Sequence, residues 1–389
     1  MSKLDELIQE LCPDGVKFSP LEQCCNIWDK KRKPVTKAAR VAGQYPYYGA
    51  NGIQDYVSDY IFDGIFVLVG EDGSVMTPNG TPVVTWAEGK IWVNNHAHII
   101  EQSDGVLLRY LYHYLQTVNV APLIHGNIPK LTGGDFKALP IPVPPIEVQR
   151  EIVRILDNFT ELTAELTAEL TARKKQYEFY RDKLLTFGDN VSKIALGDIF
   201  DIRNGYTPSK ANPEYWTGGT VDWFRMEDIR MNGHVLSSAL QKVTEAAIKG
   251  GKKIPANSIA LSTSATIGEH ALITVECLGN QRFSFFTPKA AFVNIIDMRF
   301  VNYYFYKVDE WCKGHLFQGN FNSVDMGALK QLRVPIPTVS EQNRIVSILD
   351  RFDTLCNDIS EGLPAEIEAR QKQYEYYRDK LLSFKELKP

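Results

Sequence analysis

Two long stretches of the chain place apolar residues alternately three and four positions apart, which is the pattern of helices that pack along a shared seam. The first stretch has Ile152, Ile155, Phe159, Leu162 and Leu166, then Tyr177, Tyr180 and Leu184. The second has Ile345, Ile348, Phe352, Leu355 and Ile359, then Ile367, Tyr374, Tyr377 and Leu381. We expect two long antiparallel coiled-coil helices, because each would connect one globular region to the other.

Two local features make these predicted helices unequal. The repeat TAELTAEL, Thr163 to Leu170, places Leu166 and Leu170 four apart, and this spacing shifts the helix phase locally. The matching part of the second stretch contains Gly362 and Pro364. Because proline inside a helix costs about 3 kcal/mol, the second helix is expected to end near Gly362 and to restart with Pro364 in its first turn.

The helical stretches are the most similar parts of an internal repeat. PIPVPPIEVQREIVRILDNF, ending at Phe159, returns as VPIPTVSEQNRIVSILDRF, ending at Phe352, and KQYEFYRDKLLTF returns as KQYEYYRDKLLSF. The pair Gly126-Asn127 likewise corresponds to Gly319-Asn320. VSKIALGDIFDI resembles VKFSPLEQCCNI near the N-terminus, so we expect a cyclic, pseudo-two-fold arrangement with the N-terminal helix beside the end of the last helix.

The regions between the helices contain short β-branched runs separated by Gly, Pro and Asn turns, which is typical of mixed α/β domains. The predicted fold class is therefore α+β, with two mixed α/β domains joined by the two long helices. The predicted boundaries are an N-terminal helix at 1–16, a first domain at 17–140, a helical spacer at 141–191, a second domain at 192–333 and a C-terminal helical spacer at 334–389.

Composition narrows the class of protein. The chain has 389 residues, of which 44% are hydrophobic, and this is enough apolar material for more than one core. No run of about 18 apolar residues occurs and the N-terminus has no signal-peptide pattern, so we expect a cytoplasmic protein without membrane contact. The six cysteines form no C-x-x-C pair, and His96 and His98 have no spaced third ligand, so no metal site is predicted.

Known catalytic patterns are missing from the sequence. It contains no N-P-P-Y or D-P-P-Y tetrapeptide of an amino-methyltransferase, no P-loop and no G-x-S-x-G elbow. No carboxylate cluster of the nuclease type with a following lysine stands out either. The sequence therefore predicts binding without catalysis.

The net charge and the distribution of basic residues point in different directions on whether the chain binds DNA. The formal net charge of -4 is unusual for an independent DNA-binding protein. The basic residues are nevertheless concentrated, with Lys30 to Lys33, Lys37 and Arg40 close together, and Lys249, Lys252 and Lys253 around a Gly-Gly turn. Acidic residues accumulate in the helical segments instead.

Reading of DNA bases needs Lys and Arg for the phosphates and Asn, Gln, Arg or aromatic groups for the base edges. The candidates in the first domain are Lys31, Arg32, Lys33, Tyr47, Tyr48, Asn51, His125, Asn127 and Lys130. Those in the second domain are Tyr206, Lys210, Arg225, Gln281, Arg282, Gln318, Asn320 and Asn322. Residues of these types occur more commonly because they form turns or lie on a solvated surface than because they contact DNA, and this holds for any one of the candidates.

The duplicated P-x-P, ILD-x-F and KQYE-[FY]-YRDKLL-[TS]-F blocks, the TAEL repeat and the phrases GDIFDIRNGYTPSK and YPYYGANGIQDYV resemble the specificity subunit of a type I restriction-modification system. The resemblance covers essentially the full length. It implies two target-recognition domains that each read half of a split, asymmetric site in double-stranded DNA. It also implies that the helices act as a spacer and as docking sites for two methyltransferase subunits.

The resemblance further implies that a restriction subunit joins the complex, and that S-adenosylmethionine, ATP and Mg²⁺ bind to the partners and no cofactor binds this chain. Phosphate contacts from those partners would account for the modest charge of this chain. Two alternatives stay open at this point. One is a stand-alone bivalent DNA-binding regulator without methyltransferase partners, and the other is a coiled-coil scaffold whose globular ends bind proteins.

Overall fold

The computed structural model describes residues 2–317, 322–358 and 360–387, without the side chain of His125. The predicted Gln318, Asn320 and Ile359 lie outside the described residues. The chain forms two compact units, the first made of residues 1–168 and 365–389 and the second of residues 169–364. The predicted combination of mixed α/β domains and long helices is confirmed.

The first unit is built around a six-stranded sheet with the strand order β2-β7-β5-β6-β3-β4, in which β3 and β6 run parallel and the other neighbours antiparallel. The pairs β1-β10 and β8-β9 form separate small ribbons. The elements are α1 Lys3–Leu11, β1 Lys17–Pro20, β2 Cys25–Ile27, β3 Ala42–Gly49, β4 Gly52–Val57, β5 Phe62–Gly70, β6 Val84–Val93, β7 Ala97–Gln102, α2 Leu108–Leu115, β8 Ile124–His125, β9 Lys130–Leu131, α3 Gly133–Lys137, β10 Pro140–Val143 and the start of α4 Ile146–Leu184.

The second unit contains a five-stranded sheet of order β12-β19-β16-β17-β14 and a three-stranded sheet of order β15-β13-β18. The pairs β11-β22 and β20-β21 are again small ribbons. The elements after α4 are β11 Lys193–Ala195, α5 Leu196–Ile199, β12 Phe200–Asn204, β13 Val221–Phe224, α6 Met226–Asn232, β14 Val235–Leu236, β15 Lys242–Val243, β16 Ser258–Ser262, β17 His270–Ile273, β18 Cys277–Gly279, β19 Phe283–Pro288, α7 Met298–Gly314, β20 Leu316–Phe317, β21 Ser323–Val324, α8 Met326–Gln331, β22 Arg333–Pro335, α9 Val339–Asn357 and α10 Leu363–Leu381.

The predicted inequality of the helical stretches is confirmed. The helix α4 continues through the TAEL repeat for 39 residues, and the hydroxyl groups of Thr163 and Thr167 donate to carbonyl oxygens four residues earlier. The second stretch is interrupted, because α9 ends at Asn357 and α10 begins at Leu363 with Pro364 in its first turn. Proline suits that position because the first-turn N–H has no partner within the helix.

The two ends of the chain meet in the core of the first unit. Leu4 of α1 and Leu382 are buried in the same cluster as Ile152 and Leu156 of α4. The backbone N–H of Val16 donates to the carbonyl of Lys385 at 2.9 Å, and the carbonyl of Val16 accepts from Leu387 at 2.9 Å. The segment after α1 is therefore bonded to the segment after α10, as a cyclic repeat requires.

A buried glutamine joins α4 to the domain in the first unit. The side-chain oxygen of Gln149 accepts from the backbone N–H of Leu107 at 2.9 Å, at the start of α2. Its amide group donates to the carbonyls of Gly105 at 3.0 Å and Pro144 at 2.8 Å. One side chain thus satisfies three backbone groups, two in the loop before α2 and one just before α4, which holds the orientation of the helix relative to the domain.

The second unit repeats this arrangement with Gln342 of α9. Its side-chain oxygen accepts from Asp297 at 2.7 Å, and its amide donates to Ile295 at 2.9 Å and to Pro337 at 2.8 Å. The repeated helical blocks therefore build the same joint in both units, although the domains attached to them differ in sequence.

A second joint in the first unit is ionic. Asp157 of α4 accepts from Arg109 at 2.7 Å and pairs with His113 at 2.8 Å, and His113 bonds the hydroxyl of Tyr374 at 3.0 Å. Burial, together with the positive charges of Arg109 and Arg378, lowers the pKa of His113, although Asp157 acts in the opposite direction. Although burial raises the pKa of Asp157, the hydrogen bonds and electrostatic interactions with His113 and Arg109 lower it overall. The histidine is therefore held in its neutral form.

Among the described residues, none of the helices has the length and apolar content that a membrane crossing requires.

Candidate DNA interface

One edge of the main sheet in the first unit gathers loops that are distant in sequence. The strands β2 and β5 end at Ile27 and Gly70, whereas β7, which runs antiparallel to both, begins at Ala97. The residues after β2, after β5 and before β7 therefore meet at one edge. The backbone N–H of Leu131 donates to the carbonyl of Glu71 at 2.8 Å and attaches the β8-β9 hairpin there. The loop that carries the predicted Lys31, Arg32 and Lys33 and the hairpin that carries the predicted Asn127 and Lys130 are thus brought together.

The centre of this edge is an ion-pair network around Glu71, whose side chain is buried. Arg32 donates to Glu71 and, at 2.7 Å, to the carbonyl of Ala97, while the ammonium of Lys130 lies 3.2 Å from Glu71. Arg32 is half-buried in this network. It therefore holds the loops in place, and its guanidinium is not free for a phosphate.

Asp29, Glu71 and His98 also lie close enough to hold a metal ion, with one ligand atom of each within 4.8 Å of the others. Asp29 pairs with Arg32 at 3.5 Å and with His98 at 2.6 Å. Although burial raises the pKa of Asp29, the hydrogen bond from His98 and the nearby charges lower it overall. Because Arg32 and Lys130 already balance the two carboxylates, we assign this cluster a structural role.

Two predicted DNA-contacting residues of the first domain are wrong. Tyr47 is 1% exposed and Tyr48 is 7% exposed, because both side chains pack inside the unit. The hydroxyl of Tyr47 accepts from the N–H of Val35 at 3.0 Å and lies 3.2 Å from its carbonyl. Tyrosines in a turn-rich segment can form strand core, and the sequence did not distinguish this packing from exposure.

Other predicted residues of the first domain lie at the surface. Lys31 is exposed, and its ammonium lies 3.8 Å from the centroid of the Trp28 ring. The remaining exposed candidates are Lys33, Asn51, Asn127 and Lys130. The side chain of His125, which belongs to β8, lies outside the described part of the structure.

The second unit forms a matching edge. The strands β12 and β16 end at Asn204 and Ser262, and the antiparallel β19 between them begins at Phe283. Backbone N–H groups of Tyr206 and Thr263 donate to the carbonyls of Gly279 at 2.7 Å and Arg282 at 2.9 Å. The edge brings together the predicted residues Tyr206, Gln281, Arg282 and Asn322 from three separate segments, and the predicted Lys210 follows in the same loop as Tyr206.

These residues differ in how free their side chains are. Lys210, Gln281, Arg282 and Asn322 are exposed. Tyr206 is half-buried, and its hydroxyl donates to Ala247 at 3.0 Å and accepts from the N–H of Lys249 at 2.9 Å. Tyr206 thus positions the basic Gly-Gly turn.

The predicted Arg225 lies at the start of α6 and is half-buried. Its guanidinium carbon is 5.7 Å from the Trp223 ring centroid, and its Nε is 3.8 Å from Glu227. A carboxylate and a ring therefore already neighbour this cation, which makes it a weaker candidate for DNA contact than Arg282.

The candidate set omitted Asn95 and His96 of the first unit, which are exposed in the turn before β7. This turn occupies the same place as the turn of the second unit that contains the predicted Gln281 and Arg282. The shared asparagine, Asn94 in one turn and Asn280 in the other, was the available signal. Lys249 and Lys252 are also exposed, and the sequence marked them as basic without placing them beside Tyr206.

The fold and these edges define a class of protein in which one duplicated helical framework carries two different polar and basic loop surfaces. The model of the family described as type I restriction modification DNA specificity domain matches residues 13–173 and 188–369, once in each repeat. The chain belongs to this family. The non-catalytic role expected from the sequence agrees with membership of a specificity-subunit family.

Relatives support the same family along the whole chain. A putative type I restriction enzyme specificity subunit of Haemophilus influenzae is 39% identical, and the match covers 95% of this chain and 96% of the relative. The EcoprrI specificity subunit of Escherichia coli is 47% identical over 53% of each chain. The EcoR124I/EcoR124II specificity subunit of Escherichia coli is 41% identical over 72% of each.

Solved structures show the same fold. The specificity subunit of a type I system from M. genitalium matches with a TM-score of 0.55 and 15% identity, covering 95% of this chain and 96% of that one. A chain from a study of type I complex assembly and conformational transition matches with a TM-score of 0.62 and 16% identity, covering 96% and 98%. Proteins of this family function within restriction-modification complexes, and this chain is a member of the family.

Proposed function

We propose that this chain selects the DNA sequence on which a type I restriction-modification complex acts, and that each unit reads a different half of a bipartite, asymmetric site. The observation that carries the proposal is the contrast between the two kinds of surface. The joints at Gln149 and Gln342 are the same bond for bond. The loop edges attached to them differ, as two different half-sites require.

The chemistry of the edges suits double-stranded DNA. Exposed lysines such as Lys31 and Lys249 can contact phosphates, and exposed amide and guanidinium groups such as those of Asn127 and Arg282 can contact base edges. The net charge of -4 leaves the phosphate attraction of the isolated chain small. Partner subunits would supply the remaining cationic contacts around the DNA.

The helical blocks carry surfaces for those partners. Phe179 of α4 and Tyr376 of α10 are each 62% exposed, and their neighbours Tyr180 and Tyr377 are also exposed. These two pairs occupy the same place in the repeated KQYE-[FY]-Y block. Large exposed aromatic side chains are enriched where proteins bind one another. Because the surface occurs twice, two methyltransferase subunits would dock on one chain.

The chemistry of the complex then belongs to the partners. S-adenosylmethionine would bind the methyltransferase subunits, and ATP and Mg²⁺ would serve a restriction subunit that joins through the assembled complex. We place this complex in the cytoplasm, where both the host chromosome and incoming DNA are accessible.

The proposal is tested by co-expressing the chain with its methyltransferase subunit and sequencing the modified adenines of the host genome. The expected result is one bipartite motif with two different half-sites. Exchange of residues 192–333 for the corresponding domain of another family member should then change one half-site only. Lack of any new modified motif from a purified, intact complex would contradict the proposal, as would a change of both half-sites.

A further inference from the structure

A short turn that begins with asparagine precedes one central strand in each unit. In the first unit Asn94 follows β6, and its side-chain oxygen accepts from the backbone N–H of His96 at 2.8 Å. In the second unit Asn280 follows β18, and its side-chain oxygen accepts from the N–H of Arg282 at 3.0 Å. Both turns are closed by the same side-chain bond, which fixes the local backbone.

Equivalent backbone hydrogen bonds hold the first residue of both turns. The N–H of Asn94 donates to the carbonyl of Tyr48 at 3.1 Å, and that of Asn280 donates to the carbonyl of Phe224 at 3.0 Å. Tyr48 and Phe224 occupy matching places, because each is the last paired residue of a parallel ladder, with β6 in one unit and β18 in the other.

A further matched pair holds the residue before each asparagine. The carbonyl of Val93 accepts from Lys33 at 3.2 Å, and the carbonyl of Gly279 accepts from Tyr206 at 2.7 Å. In both units the donor lies in the loop that follows the outermost strand of the sheet, which is β2 in the first unit and β12 in the second. The basic loop that contains Lys33 and the loop that contains Tyr206 are thus each attached to the corresponding turn of their own unit.

The end of the turn is held in the same way. The carbonyl of His96 accepts from Glu71 at 2.8 Å, and the carbonyl of Arg282 accepts from Thr263 at 2.9 Å. The strands that follow, AHII and FSFF, have little sequence in common. Equal bonding despite unequal sequence shows that the fold keeps this turn in one backbone conformation.

The side chains in the middle of the turn vary on this constant backbone. They are Asn95 and His96 in the first unit, and Gln281 and Arg282 in the second, and all four are exposed. His96 is paired with Asp72, and the side-chain oxygen of Gln281 accepts from Thr207. The most available groups are therefore the carboxamide of Asn95 and the guanidinium of Arg282.

Arg282 differs from the other arginines considered at these edges. Arg32 is paired with Glu71, and Arg225 lies 3.8 Å from Glu227. Within residues 2–317, 322–358 and 360–387, Arg282 forms no ion pair. A solvated arginine on a rigid turn loses less entropy when it binds than one on a mobile loop. It also presents the two-donor fork that matches the O6 and N7 atoms of guanine.

We propose that this asparagine-closed turn determines base specificity in each unit, with Arg282 recognising a guanine in one half-site and Asn95 an adenine in the other. The inference rests on the proposed function and adds to it the residues and the base classes. An asparagine carboxamide matches adenine N6 and N7, as the arginine fork matches guanine. The lysines nearby would contact phosphates and contribute to affinity at every sequence.

The test uses the chain in complex with its methyltransferase subunit and determines the modified motif by sequencing. Arg282→Ala should lower the preference for guanine at one position of one half-site by about tenfold or more. Arg282→Lys should also relax that position, because lysine keeps the charge but lacks the fork. Asn95→Ala should relax one adenine position in the other half-site.

Lys330→Ala is the control, because this exposed lysine of α8 contacts the α5 region at the opposite end of β12 from the turn. It should leave both half-sites unchanged. An unaltered motif in Arg282→Ala and Asn95→Ala would overturn the inference, and so would a uniform loss of modification at an unchanged motif, which indicates phosphate contacts. If the unsubstituted complex itself gives no bipartite motif, the proposed function fails together with this inference.

Discussion

Replacement of the buried Gln149 by alanine tests whether the repeated glutamine joint holds each domain on its helix. The side chain makes three hydrogen bonds and is fully buried. A hydrogen bond contributes about 0.5–1.5 kcal/mol net, and removal of one partner leaves buried backbone groups unsatisfied. With the cavity left by the shortened side chain, Gln149→Ala should lower the local free energy of unfolding by about 2–4 kcal/mol.

Hydrogen exchange followed by mass spectrometry is the appropriate assay, because a chain of two units need not unfold in a single transition. A loss of this size corresponds to exchange about thirtyfold to several hundredfold faster in peptides that cover α2, since about 1.4 kcal/mol is a factor of ten. The repeat offers a matched variant. Gln342→Ala should accelerate exchange in α7 of the second unit and leave α2 unaffected.

The exposed Gln371 of α10 provides the control, and its replacement by alanine should change exchange very little. The reasoning is refuted if Gln149→Ala costs less than about 1 kcal/mol. It is also refuted if either glutamine variant destabilises both units to the same extent, because each joint bonds only segments of its own unit.

Two further predictions concern pH and helix length. The folded state holds the pKa of His113 below its ordinary value of 6.5. As the pH falls through that value, the unfolded chain therefore binds more protons than the folded chain. The free energy of unfolding of the first unit should therefore decline from pH 7.5 to about 5.5. Urea unfolding should show a smaller decline in His113→Gln than in the unsubstituted chain. Equal dependence of the free energy on pH in the two proteins would contradict this prediction. Deletion of Thr167 to Leu170 shortens α4 by about 6 Å and should shorten the spacer of the modified motif with both half-sites unchanged, whereas an unchanged spacer would exclude a role of α4 in spacing.

Several features of this protein follow from local sequence alone. The duplication, the continuous α4 and the interruption at Gly362 and Pro364 were all predictable, because helical periodicity and proline geometry act over a few neighbouring residues. The family resemblance was also available, because the repeated blocks are long and specific. The membership of the family is borne out by the match to residues 13–173 and 188–369.

Which of the candidate residues lie at the surface was decided by the tertiary structure. Tyr47 and Arg32 have the residue types of DNA contacts, yet one is buried in the sheet and the other is bonded to Glu71. Conversely, Asn95 gave little signal until strand pairing placed its turn beside the basic loops. The reason is physical, since the pairing of strands distant in sequence determines which loops meet at an edge, whereas local patterns of hydrophobic and polar residues carry no register between those strands.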